Sequence, residues 1–394
     1  MKRDFIFSSE SVTEGHPDKL CDRISDALVG LYLRRDPIAR VTAECAVSTG
    51  ILFVAVRLGS SAVVDIPFAA REVIREVGYE RDGFNSRDCT VMTTLSEFDR
   101  SNADATDERS MSSEDIDHVV ARDPVTVFGF ACMHTPSLMP LPVWLAHKLA
   151  RCLAVARREH LPEMLPDGKT QVSVEFHDRR PVRIHGLTVV TTRNAHGRES
   201  DRLRERVKEF VIDPAFADED IVPDDRSRID VNPEGVFVGG GPAVHSGLTG
   251  RKTAVDTYGE YARHSGAALS GKDPSRIDRV GAYAARHAAK NVVAAGLASE
   301  CEVQLTYAIG LSHPVSVQVE TFGTSSIDES ELERRVQVAC DFRPAGIVKR
   351  FDLRRLPSTC SDGFYVKLAA YGHVGRTDVE LPWERTDLID ALRS

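Results

Sequence analysis

Hydrophobic and polar positions alternate along three stretches of the chain, and after each the period lengthens to that of a helix. The first, ARVTAECAVSTGILFVAVRL at 39–58, predicts two strands and leads into DIPFAAREVIREVGY at 65–79, whose apolar residues recur at helical spacing. The stretch KTQVSVEFHDRRPVRIHGLTVVTTRN (169–194) leads in the same way to SDRLRERVKEFVI. A third, ECEVQLTYAIGLSHPVSVQVETFGT (300–324), leads to DESELERRVQVACDF. β-Branched residues crowd the alternating parts, as half-buried pleated surfaces favour. Three blocks of this kind predict an α+β fold built from three similar units, each a sheet with helices on one face.

Further helices are expected over DKLCDRISDALVGLYLRR near the start, LPVWLAHKLARCLAVARREH (141–160) and RVGAYAARHAAKNVVAAGLASE (279–300). The last carries small residues almost all round, which calls for deep burial or an oligomer interface. Residues 96–118, SEFDRSNADATDERSMSSEDIDH, are polar, acidic and nearly free of apolar periodicity, and read as a mobile lid or linker. The domains expected around it are 1–102, 118–238 and 239–394.

A chain of 394 residues can bury the cores of two or three domains. With 42% hydrophobic and 28% charged residues and no run of bilayer length, the composition predicts a soluble protein rather than a membrane one. The opening MKRDFIFSSES lacks a signal-peptide core, so a cytoplasmic location is expected. A formal net charge of −9 argues against nucleic acid as a partner and makes any cationic cluster a local anion site. The eight cysteines are scattered without a C-x-x-C pair and read as reduced thiols.

Two such clusters stand out. GGGPAVHSGLTGRK at 239–252 joins a glycine run to Arg251 and Lys252, so main-chain N–H groups can approach phosphate oxygens while two cations offset their charge. SGKDPSRIDR at 270–279 adds Lys272, Arg276 and Asp278, the last a candidate magnesium ligand. Together they point to ATP. Near the N-terminus, SSESVTEGHPDKLCDRISDA (8–27) places Gly15, His16, Pro17, Asp18 and Lys19 on a turn entering a helix. GAALSGKD superficially matches a phosphate-binding loop, but Asp273 stands where a magnesium-binding Ser or Thr belongs and no strand precedes it.

The order and spacing of SESVTEGHPDK, GLTGRK with VDTYG, ARH with SGKDPSRIDR, AAYGH and PWERTD closely resemble the S-adenosylmethionine synthetase (methionine adenosyltransferase) family across essentially the whole chain. The resemblance implies three domains related by pseudo-threefold symmetry. It also implies a homodimer or dimer of dimers with active sites at the subunit interface, two magnesium ions and one potassium ion. The implied reaction is attack of a thioether sulfur on C5′ of ATP, with the triphosphate leaving and then being cleaved to pyrophosphate and phosphate. Carried over by motif, His16, Lys169, Arg251 and Lys272 would be catalytic. Asp167, Gly168, Lys252, Phe237 and Ala268 would complete the ATP site, with Phe237 on the adenine. Asp18 and Asp278 would hold magnesium, and Glu44 potassium.

Departures from the family pattern gather on the acceptor side. Arg57 stands where a glutamate receives the methionine ammonium, Phe98 where a glutamine contacts methionine, and His245 where an aspartate touches both substrates. The segment VARDPV (120–125) keeps Asp123 but lacks the family's glycines and adds Arg122, and Arg276 replaces a lysine. At ~4 Å and an effective dielectric of about 20, one charge pair is worth on the order of 4 kcal/mol, so exchanging Glu for Arg reverses a large interaction with an ammonium. The acceptor site of Arg57, Phe98, Asp123, His245 and Arg276 is therefore expected to favour an anionic or amine-lacking methionine analogue. Two alternatives stand beside this reading: an authentic methionine adenosyltransferase, and a non-catalytic regulatory paralogue.

Overall fold

The computed structural model describes residues 3–80, 83–98, 107–193, 202–235, 237–360 and 363–394. Among the described residues, twelve strands run in chain order: β1 (Phe5–Val12), β2 (Arg40–Ser48), β3 (Ile51–Gly59), β4 (Thr90–Glu97), β5 (Val125–Cys132), β6 (Met164–His177), β7 (Arg180–Arg193), β8 (Arg228–Val231), β9 (Phe237–Val238), β10 (Gly247–Leu248), β11 (Glu300–Tyr307) and β12 (Ser316–Glu320). The longer helices are α1 (Pro17–Arg35), α2 (Ile66–Val77), α3 (Leu141–Glu159), α4 (Ile277–Ala294) and α5 (Glu329–Ala339). All three expected strand pairs form, each followed by helix.

The strands make three sheets, and each sheet recruits a strand from a distant segment. β1, β6, β7 and β8 form one in that order, with β9 also paired to β7; β10, β2, β3 and β4 form the second; β12, β11 and β5 form the third. Thus β1 lies antiparallel to β6, β10 to β2, and β5 to β11. Mixed α and β elements on three sheets match the α+β expectation.

Alternation fixes which face is buried. Val41, Ala43, Cys45 and Val47 of β2 and Leu52, Val54, Val56 and Leu58 of β3 point into the core beneath α1 and α2, each contributing on the order of 1–3 kcal/mol by leaving water. Their neighbours Ile51, Phe53 and Arg57 face outward. The alanine-rich helix is buried along almost its whole length within the chain. Small residues permit this: a Cβ at Gly129 of β5 would sit 1.9 Å from the Ala285 carbonyl carbon of α4.

The stretch read as a lid divides in three, and its first residues, 96–98, end and follow β4. Residues 99–106 lie outside the described residues. Residues 107–118, expected to be mobile, are instead packed: a short turn at Glu108–Ser110 and another at Ser113–Asp117 place Met111 and Ile116 against Ala345. Buried Glu108 accepts two hydrogen bonds from Arg354, at 2.6 and 2.8 Å. A desolvated, bidentate pair of this kind anchors the backbone in a way that polar composition does not announce.

Candidate active site

Helix α1 organises the site. His16 is its N-cap, accepting the Asp18 N–H at Nδ1 (3.2 Å), and Pro17 opens its first turn. Asp18, Asp22 and Asp26 recur every four residues and share one face. Asp18 Oδ1 accepts the Leu248 N–H (3.0 Å), Asp22 Oδ1 the Gly250 N–H (2.8 Å) and Asp26 Oδ1 the Gly271 N–H (2.9 Å). One helix therefore holds both cationic loops. Gly250 and Gly271 have φ of 81° and 79°, and a Cβ would come within 2.4 Å of Ala268 Cβ and 2.1 Å of the Ala43 carbonyl oxygen respectively, so neither position accepts a side chain.

Two buried cations meet this ladder deep in the core. Lys19 bridges Asp22 (2.9 Å) and Asp256, while Arg279 grips Asp26 through two hydrogen bonds of 2.7 and 3.1 Å. Burial works against the Lys19 charge, yet Asp22 and Asp256 outweigh it and raise the Lys19 pKa. The sequence reading did not single out Asp22, Asp26, Asp256 or Arg279. The four-residue spacing in DKLCDRISDA was the available signal.

A first group of site residues gathers around the α1 N-terminus. Asp18 Oδ2 lies 3.2 Å from Lys252 Nζ, and Asp18 Oδ1 lies 3.7 Å from Arg251. Asp167 on β6 is buried and accepts the Gly241 N–H (2.9 Å) and His245 Nε2 (2.8 Å), while its Oδ1 makes no hydrogen bond. Gly168 exchanges main-chain and side-chain hydrogen bonds with Thr13 of the turn before α1 (2.8 and 2.9 Å), and Lys169 follows on the exposed side of the strand. The His16 and His245 rings are 5.2 Å apart. Desolvation lowers the His16 pKa to about 4 against the pull of Asp167 and Asp18. A neutral ring that accepts at Nδ1 carries its proton at Nε2, so His16 presents an N–H donor rather than a full charge.

The second group lies where β2 meets the loop before α4. Lys272 bridges Thr42 of β2 and pairs its Nζ with Asp278 Oδ2 at 2.8 Å. Arg276, the N-cap residue of α4, lies 3.0 Å from Asp123 Oδ2 and 4.0 Å from Asp278 Oδ2. Arg57 is directly opposite Thr42 in the β2–β3 register. Antiparallel partners share a face, so Arg57, Thr42 and Lys272 all emerge on the outer side of the sheet. Glu44 stands on the same face, two residues along β2. Phe98, after β4, packs under the Arg40 guanidinium at 5.6 Å.

The remaining candidates are dispersed. Phe237 pairs with Thr192 at the end of β7 and is half-buried, and Ala268 packs against Gly250. Asp18 and Asp278 suit magnesium, being buried carboxylates set among the cations that would meet phosphate. Among the described residues, the cluster of three potential metal ligands is His16, Asp167 and His245, with ligand atoms within 4.8 Å of one another, and it includes neither those aspartates nor Glu44. His16 Nδ1 is taken up by the N-cap and Asp167 Oδ2 by His245 Nε2, which leaves Asp167 Oδ1 and His16 Nε2 without a partner in the cluster.

The domain models of S-adenosylmethionine synthetase match in chain order: the N-terminal domain over residues 4–99, the central domain over 118–237 and the C-terminal domain over 239–385. The S-adenosylmethionine synthase of Acaryochloris marina is 47% identical over 407 residues, covering 100% of this chain and 97% of that protein. Those of Gloeothece citriformis and Synechococcus sp. (strain JA-2-3B'a(2-13)) are 46% and 48% identical, each across 97% of its own length. No described helix is long and apolar enough to cross a membrane. A match to all three domains, and near-half identity across full-length relatives, mean that the chain belongs to the S-adenosylmethionine synthetase family of enzymes.

Proposed function

We propose that the chain transfers the 5′-adenosyl group of ATP to the thioether sulfur of methionine, forming S-adenosylmethionine and releasing pyrophosphate and phosphate. The observation that carries this reading is the pinning of both cationic loops by α1, which fixes Arg251, Lys252 and Lys272 around the carboxylates suited to magnesium. Breaking the C5′–O bond adds negative charge to the leaving triphosphate, so cations held in advance stabilise the transition state more than the bound substrate. His16 would donate Nε2–H to an oxygen of the leaving group, and Phe237 would cover the adenine. Bound at Asp18 and Asp278, magnesium would neutralise phosphate oxygens; potassium at Glu44 would need further oxygen ligands, since Glu44 is exposed.

The outer sheet face supports a homodimer with sites between subunits. Ile51, Phe53 and Met92 are 48%, 42% and 52% exposed there, an apolar surface that association would cover. Arg57 and Glu44 would then face the partner. Incubation with ATP, magnesium, potassium and methionine, followed by mass spectrometry, should yield S-adenosylmethionine, and Lys272→Ala should remove most of it. No product from folded, metal-loaded protein would refute methionine as acceptor.

A second reading, transfer to an anionic or amine-lacking analogue such as the 2-oxo acid of methionine, is favoured by one observation. Arg276 already occupies Asp123, and Arg57 adds a cation beside Lys272 on the same face. An ammonium would find less negative charge here than a carboxylate would find positive. Arg57→Glu should raise kcat/KM for methionine relative to its 2-oxo analogue. A change in that ratio below threefold, about 0.7 kcal/mol, would show that Arg57 does not touch the acceptor.

A further inference from the structure

A cavity of about 350 Å³ lies behind the His16 turn, between α1, α3 and residues 367–379. Five cationic side chains, Arg23, Arg151, Arg158, Lys367 and Arg376, line it together with two carboxylates, Glu14 and Asp378. In a chain of net charge −9, such a local excess of positive charge calls for a partner.

The two carboxylates are shared too widely to balance Arg23, Arg151 and Arg158. Glu14 is shared among three guanidinium groups: it contacts Arg158 and lies 3.4 Å from Arg23 and 3.9 Å from Arg157. Asp378 is held by Arg376 through two hydrogen bonds of 2.6 Å, so Arg151 reaches it only at 3.6 Å. Burial lowers the Arg151 pKa, which marks a guanidinium whose charge is under-compensated. Arg23 Nε is buried without a hydrogen-bond acceptor.

The wall carries a second sign of a built site. Tyr371 holds φ of 65°, a left-handed backbone that a bulky aromatic residue rarely adopts. Its buried hydroxyl lies near the Glu14 main chain yet makes no hydrogen bond of good geometry. A hydroxyl donor and guanidinium forks around a cavity large enough for a small ligand are the fittings of a phosphate site.

We propose that this cavity binds a small phosphate-bearing anion, at a site separate from the one that receives the triphosphate of ATP. Arg151, Arg158 and Arg23 supply the cations and Tyr371 a hydroxyl donor. Because Glu14 lies two residues before His16, the occupant sits directly behind the turn that caps α1.

Calorimetry on the full chain saturated with magnesium and a non-hydrolysable ATP analogue tests this, with inorganic pyrophosphate and glycerol 3-phosphate as separate probes. Either probe should bind with one additional molecule per chain. Binding of pyrophosphate alone would make the ligand inorganic, and binding of the ester would make it an organic phosphate. The double variant Arg151→Gln, Arg158→Gln should weaken binding at least tenfold while leaving the affinity for the ATP analogue unchanged. Val155→Glu, which adds an anion at a half-exposed wall position without removing a buried cation, should do the same if the double variant fails to fold. Absence of a second binding event, or one unaltered by these substitutions, would overturn the proposal.

Discussion

The two groups of candidate site residues are built differently. Around the α1 N-terminus, Asp18, Asp167 and His16 are buried, and each is fixed by a main-chain hydrogen bond. On the outer sheet face, Arg57 and Glu44 are exposed strand residues, positioned only by register. Residues in the first group cannot change without stranding a buried polar atom, whereas those on the second can change at little cost to the fold.

The sharpest way to break this contrast is at Asp26. Asp26→Ala would leave Arg279 buried and unpaired and free the Gly271 N–H, and a loss of about 3–5 kcal/mol in chemical denaturation is expected. Arg57→Ala on the exposed face should stay within about 0.5 kcal/mol of the parent. Equal losses would erase the distinction between a pinned and a free region.

A smaller effect concerns acid. Burial lowers the pKa of His134 to about 4 and those of His147 and His373 well below the ordinary value of 6.5. Each depressed histidine favours the folded state fully above about pH 6.5, and that contribution is lost as pH falls towards and through the folded pKa. The melting temperature should therefore decline between pH 6.5 and 4.5. His134→Phe, at a position packed between Phe176 and Tyr261, should decline less steeply over the same range.

Much of this was legible in the chain. Alternation located β2, β3, β6, β7, β11 and β12, and the motifs located both cationic loops and the α1 turn. Partner choice was not legible: β1 belongs with β6 and β5 with β11, because a period of two specifies a face and carries no information about the neighbouring strand. The packing of residues 107–118 was hidden for a related reason. Glu108 looks like any surface acid until Arg354, far away in sequence, closes on it. The same holds for Asp22 and Asp26, whose spacing was visible while the loops that donate N–H groups to them were not.

The aspartate ladder also sets a helical phase. Successive rungs are four residues, or about 6 Å, apart along the axis of α1, and each residue turns the helix by roughly 100°. Inserting a single residue between Asp22 and Asp26 would swing the lower rung away from Gly271 and from Arg279 of α4, while Gly250 kept its place. The two cationic loops would then lose their common alignment even though every side chain remained. In this segment the number of residues is constrained as well as their identity.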